Sequence, residues 1–324
     1  MKKVIYESFG NPVEVLKLVE EDPAPLAKGQ ARVTVLRAPI NPSDLIQVSG
    51  NYGVRPALPA VAGNEGLGRV NEVAGNGISV GQLVLVPAGT GTWVSELVCD
   101  IRALVPLPEG DLDQLSMLTV NPATAQLLLS EYVDLKEGDW VIQSAANSAV
   151  GGYLVQIARE RGINVVNVVR RESAIDGLKE LGADVVLVDG PDLAKRVKAA
   201  TGASMKLAVD AVAGETFGRL AGTLETGGTL VNYGGMSNQP CTMDAGTVIF
   251  RDIRVRGFWL VNWLSNASRE ARMGLYAGLT RSIAQGNLFA PVEAHYSLEN
   301  VVKAARHSWA GERRGKIMLA PNGV

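Results

Sequence analysis

The chain has 324 residues, 47% of them hydrophobic and 20% charged, and its formal net charge is −2. That length accommodates two domains with separate cores, and so small a charge leaves no field to gather nucleic acid or an anionic membrane. No run approaches the roughly 18 apolar residues of a membrane span, and the two cysteines, Cys99 and Cys241, lie far apart and outside any C-x-x-C, so neither a disulfide framework nor a structural zinc site is indicated.

The N-terminus, Met1-Lys2-Lys3-Val4-Ile5-Tyr6, carries two lysines but no apolar signal core, which predicts a cytoplasmic location. Residues 1–115 lack helical periodicity and are dense in short strand-like runs: Val4–Tyr6, Val15–Val19, Ala31–Ala38, Gly66–Val73, Leu83–Val86 and Trp93–Val98. Each is bounded by Gly, Pro, Asn or Asp, the pattern of a closed or nearly closed β domain. Pro39–Asp44 ends the third run and offers Ser43 or Asp44 as N-cap of a short helical turn.

From 119 to 285 the rhythm changes. Strand-like runs at 140–144, 165–169, 185–188, 206–210, 228–233 and 253–258 alternate with helical segments at 150–161, 173–181, 191–200 and 214–225, which predicts a parallel doubly wound sheet. The clearest unit runs from Trp140 to Arg171. Trp140-Val141-Ile142 reads as a buried strand, Val150, Leu154, Ile157 and Ala158 recur at helical spacing, Gly162 sits at a C-cap, and Val165–Val169 is β-branched. Such a βαβ unit has the size of a dinucleotide-binding half.

Its turn keeps only the last glycine of G-x-G-x-x-G, as Ala146-x-Ser148-x-x-Gly151. Ala and Ser are the smallest replacements, so a backbone approach to pyrophosphate stays open, and Asn147 and Ser148 add side-chain donors. The alternative is a βαβ unit that binds nothing. Where an NAD site places a carboxylate, the second strand ends in Arg170-Arg171, which suits a 2′-phosphate and favours NADP(H). Glu172, one step on, argues the other way, and arginines that only solvate a strand end are the alternative.

After Gln285 the pattern reverts to Pro291, a helix at 298–308 and a strand at Lys316–Leu319. The expected domains are 1–118 with 286–324, and 119–285 inserted between them, with a ligand cleft at the junction.

His295 and His307 are the only histidines, and Gly63-Asn64-Glu65-Gly66 has Asn64 where a metal ligand would stand, so metal catalysis is not expected. Hydride transfer from a nicotinamide is then the economical chemistry, with the protein managing one proton. Tyr52, in Gly50-Asn51-Tyr52-Gly53, is the candidate donor, because a phenol stays protonated until a carbanion forms beside it; a turn tyrosine packed on the surface is the competing reading. Tyr233-Gly234-Gly235-Met236 ends the fifth strand of the doubly wound sheet, where glycines would admit a nicotinamide. Phe258-Trp259-Leu260 with Trp263 reads as an apolar strand end, either core or the wall of an acyl or quinone pocket. Asn121-Pro122-Ala123-Thr124-Ala125 reads as a capped helix start facing the same cleft.

Taken together, Ala38–Asp44, Gly50–Gly53, Leu58–Gly66, Asn121–Ala125, Ile142–Gly151, Asn167–Arg170, Tyr233–Pro240 and Arg256–Leu260 resemble the zinc-free branch of the medium-chain dehydrogenase/reductase superfamily over nearly the full length. Within that branch they are most similar to the mitochondrial-type trans-2-enoyl thioester reductases. The resemblance implies a GroES-like β-rich domain plus a doubly wound parallel (Rossmann) sheet. It also implies NADPH-dependent reduction of an enoyl-CoA or acyl-carrier-protein thioester, with Tyr52 protonating Cα. Cofactor contacts carry over to Asn121 and Thr124; to Asn147, Ser148, Ala149, Val150 and Gly151; to Arg170, Arg171 and Glu172; to Tyr233, Gly234, Gly235 and Met236; and to Phe258, Trp259 and Leu260. A family lysine near the C-terminus falls nearest Lys316. Ala149 departs from a glycine common in the family. The resemblance further implies a homodimer built through the nucleotide domains. An NADPH:quinone oxidoreductase of the same fold and a non-catalytic NADPH-binding protein are the alternatives.

Overall fold

The computed structural model describes residues 1–310 and 313–323. It divides into two compact units, Met1–Val120 with Met273–Val324, and Asn121–Arg272.

The first unit opens with β1 (Lys2–Tyr6), α1 (Pro12–Val15), β2 (Lys17–Glu20), β3 (Gln30–Pro39), α2 (Pro42–Val48), β4 (Ala60–Val61), β5 (Leu67–Val73), β6 (Leu83–Leu85), β7 (Glu96–Asp100), β8 (Val105–Pro106) and α3 (Leu112–Ser116). The strand expected over Val15–Val19 is displaced by α1. Asn11 Oδ1 accepts from Val13 N at 3.3 Å, Pro12 suits the first helical position, and strand pairing starts only at Lys17. β3 is the spine of this unit. Ala31, Val33 and Val35 alternate into the core at 0% exposure, and the strand pairs antiparallel with both β5 and β7.

The N-cap of α2 is Asn41, not Ser43 or Asp44. Asp44 occupies the third helical position and its carboxylate accepts from Asn41 N at 2.7 Å, the returning arm of a capping box.

The second unit comprises α4 (Asn121–Ser130), β9 (Trp140–Gln143), α5 (Ala149–Glu160), β10 (Asn164–Val169), α6 (Ile175–Glu180), β11 (Val185–Val188), α7 (Leu193–Thr201), β12 (Met205–Asp210), α8 (Gly214–Ala221), β13 (Leu224–Asn232), α9 (Ala245–Arg251), β14 (Arg254–Gly257) and α10 (Leu260–Asn266). The strand order is β11-β10-β9-β12-β13-β14, and every pairing is parallel. Val141 and Ile142 at its centre are fully buried, as strands covered on both faces require. The order reverses direction between β9 and β12, and ligands of such sheets bind outside the carboxyl ends at that reversal. The helix expected to reach 225 stops at Ala221, because Leu224 is already paired with Met205 in the sheet.

α11 (Arg269–Ala284) contains the division between the units, and β15 (Val292–Tyr296), α12 (Val301–Trp309) and β16 (Lys316–Leu319) complete the first. β15, unforeseen because its polar residues Glu293 and His295 alternate with Val292 and Ala294 in so short a run, lies parallel to β16, and β16 pairs antiparallel with β3. Among the described residues no helix is long and apolar enough to cross a membrane.

Candidate active site

In the second unit β9 leads into Ser144–Ser148 and then α5. Ser144 N donates to Val209 O at 3.0 Å and Ala146 N to Val168 O at 3.2 Å, so the turn is tied to the strands on either side. Ser148 caps α5, its Oγ accepting from Gly151 N at 3.1 Å. The tight bend falls on Ala145, which adopts φ +47°, one residue before the Ala146 aligned with the motif's first glycine. Gly151 is the position that admits only glycine: a Cβ there would lie 2.3 Å from Ala146 O. Ala149 opens the helix with an ordinary backbone, so its departure from glycine leaves the turn undisturbed. Asn147 is exposed, and Ala149 and Val150 are half-buried in the first turn of α5. Arg170 is exposed immediately beyond β10, Arg171 is half-buried, and exposed Glu172 begins a short 3-10 turn.

At the carboxyl ends of β12 and β13 stands a buried cluster that the sequence reading passed over. Asp210, fully buried, accepts from Ser144 Oγ at 2.6 Å, Ala213 N at 2.8 Å and Asn232 Nδ2 at 3.1 Å. Its backbone carbonyl takes Tyr233 N at 2.8 Å, and Met236 N reaches Ala211 O at 3.0 Å. Asp210 therefore shapes the Tyr233–Met236 loop. An acidic residue closing an apolar strand at a topological reversal was the available signal. The Tyr233 phenol is buried without a hydrogen bond and burial raises its pKa; Ser148 acts against that rise but falls short of bonding geometry. Gly234 passes close to backbone, its notional Cβ 2.9 Å from Ala211 O.

Phe258-Trp259-Leu260 is not a strand end. β14 stops at Gly257, Trp259 caps α10 and Leu260 begins it, placing Trp263 on a helix. Phe258 is buried edge-on against Tyr132, whose hydroxyl donates to Gly257 O at 2.9 Å. Tyr132, Arg256, Phe258, Trp259, Asn262 and Trp263 line a cavity of about 340 Å³. Asn121 and Thr124 are both buried, and Asn121 is the first residue of α4 itself instead of a cap preceding it.

In the first unit, α2 passes into the turn that carries Tyr52. Gly50 has φ +81° and lies against Phe9, whose Cβ would be 2.8 Å from an added methyl. Asn51 N donates to Ile46 O at 3.1 Å, which keeps the turn on the helix end. Tyr52 is half-buried between exposed Asn51 and Gly53.

Lys316 lies in the same unit, buried at 5% exposure. Its ammonium donates to Asn41 Oδ1 at 2.5 Å and Ile40 O at 3.0 Å. Asn41 Nδ2 in turn donates to Glu65 Oε1 at 2.6 Å, and Glu65 Oε2 accepts from Val120 N at 3.0 Å. Burial raises the Glu65 pKa and lowers that of Lys316, while Asp44 is pushed up by burial to about 6. Among the described residues no three His, Cys, Asp or Glu side chains gather as a metal-ligand group, and zinc needs at least three protein ligands.

A GroES-like β unit with a parallel Rossmann unit is the architecture of a medium-chain dehydrogenase/reductase. The alcohol dehydrogenase GroES-like domain family matches residues 27–109, and the zinc-binding dehydrogenase family residues 149–274. Among the described residues the zinc in the second description finds no matching donor set. The rat protein named mitochondrial enoyl-[acyl-carrier-protein] reductase is 38% identical over 320 residues, 95% of this chain and 85% of its own length. The mitochondrial 2-enoyl thioester reductase Etr1p/Etr2p heterodimer from Candida tropicalis superposes with a TM-score of 0.87 at 29% identity, over 98% of this chain and 99% of that one. The complex of Etr1p with NADP and crotonyl-CoA gives 0.88 at 29% identity and the same coverage. A protein described as an NADPH:quinone reductase of Bacillus thuringiensis gives 0.91 at 28% identity over 98% of each chain. The chain belongs to the enoyl-[acyl-carrier-protein] reductase family of medium-chain dehydrogenases/reductases.

The cytoplasmic expectation does not stand, because relatives matched over 95% of the chain are named mitochondrial.

Proposed function

We propose that the chain reduces the C2–C3 double bond of trans-2-enoyl thioesters, of coenzyme A or of acyl carrier protein, with NADPH as reductant. The observation that carries this reading is 38% identity over 95% of the chain to an enoyl-[acyl-carrier-protein] reductase. The turn chemistry fits the cofactor: the N-terminus of α5 lies beneath a small-residue bend, Gly151 leaves room for backbone approach, and Arg170-Arg171 follow β10. NADPH, when bound, supplies the hydride for Cβ. Asn147, Ser148, Ala149 and Val150 would hold the pyrophosphate, Arg170, Arg171 and Glu172 the adenosine ribose with its phosphate, and the Asp210-shaped loop Tyr233–Met236, with Asn121 and Thr124, the nicotinamide half. Phe258, Trp259 and Leu260 would border it. Tyr52 would hold its phenolic proton until Cα gains electron density, then donate it.

The similarity to a quinone reductase of the same fold keeps quinone reduction as the second reading. Following NADPH oxidation across an enoyl-CoA length series beside a quinone panel separates them; a quinone preferred by orders of magnitude would reject enoyl reduction, and turnover of neither would point to a binding protein.

Arg170→Ala is expected to weaken NADPH roughly ten- to hundredfold while NADH changes little, since a charge-assisted contact contributes ~1.5–3 kcal/mol. Fluorescence titration with both nucleotides reads it, and equal losses for both would show that Arg170 does not contact the 2′-phosphate.

We further propose self-association through the second unit. β14 is the edge strand of the parallel sheet, a short Arg254–Gly257 segment with Val255 at 47% exposure, and Phe250 on α9 is 82% exposed; exposed apolar side chains beside an unpaired sheet edge offer a surface for a second copy. Light scattering should return twice the 34.2 kDa chain mass, and a monomer mass would reject it.

A further inference from the structure

The carboxylate of Asp210, at the carboxyl end of β12, is filled by neutral donors. Its Oδ1 accepts from Ser144 Oγ at 2.6 Å and Val212 N at 3.0 Å, and its Oδ2 from Ala213 N at 2.8 Å and Asn232 Nδ2 at 3.1 Å. These bonds use the roughly four acceptor sites that a carboxylate offers, so none is left for a ligand. The donors belong to three segments. Ser144 opens the small-residue turn before α5, and its hydroxyl also accepts from Ala211 N at 2.9 Å. Val212 and Ala213 form the corner after β12, where Ala213 takes φ +65° and ψ −156°, a backbone region rare for any residue but glycine. Asn232 closes β13, and its amide also donates to Gly234 O at 2.9 Å. The corner in turn carries the Tyr233–Met236 loop: Tyr233 N, Met236 N and Ser237 N donate to Asp210 O, Ala211 O and Val212 O at 2.8, 3.0 and 2.9 Å. The turn before α5 has backbone ties of its own, from Ser144 N to Val209 O at 3.0 Å and from Ala146 N to Val168 O at 3.2 Å. Loss of the carboxylate therefore frees the loop and leaves the turn in place.

We propose that Asp210 is a positioning residue that sets where the nicotinamide half of the cofactor lies relative to the pyrophosphate turn. By folding the Ala211–Ala213 corner and taking the amide of Asn232, it holds Tyr233–Met236 in a fixed place beside Ser144–Ser148. It touches neither cofactor nor substrate, being fully buried with its oxygens already committed. The inference rests on the reading of Tyr233–Met236 as the nicotinamide loop. A buried carboxylate answered by neutral groups costs more desolvation than an amide or an apolar side chain in the same place, so packing alone gives no reason for it here. A corner that must present several N–H groups to one point, one of them from a residue at positive φ, does give such a reason.

The test compares Asp210→Ala with Asn232→Leu, which keeps the carboxylate and cuts only its tie to the loop. The second variant keeps the test usable should the first not fold. Calorimetric titration without turnover measures two nucleotides, NADPH and adenosine 2′,5′-bisphosphate, which has the adenosine and phosphate groups but no nicotinamide. NADPH is expected to bind about tenfold more weakly to either variant, the size of effect that stranding one buried hydrogen-bonding group produces. The bisphosphate should stay within about twofold of its native affinity, a split that a merely structural role would not give. Single-turnover hydride transfer to an enoyl-CoA at saturating NADPH should slow about ten- to a hundredfold, as ~1 Å of misplacement does. Equal losses for the two nucleotides would overturn the proposal, showing that Asp210 supports the whole unit and not the loop. Native NADPH affinity and native hydride transfer in both variants would also overturn it, because the loop would then keep its place unaided. A native chain that binds the bisphosphate but gains nothing from the nicotinamide half, and reduces no enoyl-CoA, rejects the reading of the loop itself and this inference with it.

Discussion

Tyr52→Phe is expected to lower kcat with a trans-2-enoyl-CoA by roughly 10²–10⁴-fold, the range associated with loss of a positioned general acid. Phenylalanine keeps the ring in its half-buried seat beyond the end of α2 and deletes only the hydroxyl, so folding and NADPH affinity should be unaffected. Because the proton is needed only as Cα becomes electron-rich, the loss belongs in kcat and kcat/KM alike, with little change in substrate affinity. Stopped-flow NADPH oxidation gives kcat, and nucleotide titration gives the affinity. Turnover within a factor of two of the native enzyme would remove Tyr52 from the chemistry. It would leave water or another acid to protonate the enolate.

The Rossmann half was legible because each of its signals is local. Val141-Ile142 and Val165–Val169 declare buried parallel strands by composition, and the periodicity of Val150, Leu154, Ile157 and Ala158 marks the helix between them. The first unit was less legible. Its β15 and short helices owe their form to partners far along the chain, such as β16 beside β15, or to caps such as Asn11. The site divided in the same way. Ser148, Gly151 and Arg170 sit where a contiguous motif places them, whereas the Asn41–Glu65–Lys316 cluster joins residues 24 and 275 positions apart. Pairings that distant leave no local pattern, and only the family resemblance, not its own surroundings in the chain, singles out Lys316. Asp210 lies between these cases: its position at a strand end was visible, but its ties to Ser144 and Asn232 required the fold.

Gly151→Ala is the second substitution from which a large effect is expected, and the structure gives it a direct physical basis. An added Cβ would stand 2.3 Å from Ala146 O and 2.6 Å from its carbonyl carbon, both of them backbone atoms that cannot rotate aside. Gly151 cannot retreat either. Its N–H is held by Ser148 Oγ at 3.1 Å, and its carbonyl accepts from Gln143 Nε2 at 3.0 Å, which is itself bonded to Asn167 at 2.7 Å. Relief therefore requires the Ser144–Ser148 turn to open, at about 1–3 kcal/mol for overpacking a tight site. The same opening carries the Ser148 cap and the first N–H groups of α5 out of register with a phosphate, so NADPH affinity should fall by at least about tenfold. Ala149→Gly is the control two residues away. At the first position of α5 it costs at most ~1 kcal/mol of helix propensity and leaves the turn alone, so nucleotide affinity should persist. Thermal melts with and without NADPH read both quantities at once. If Gly151→Ala melts as the native chain does and is stabilised equally by NADPH, the bend at Ala145–Ser148 is looser than these contacts require. The demand for glycine would then lie with the cofactor's approach and not with the chain's own packing.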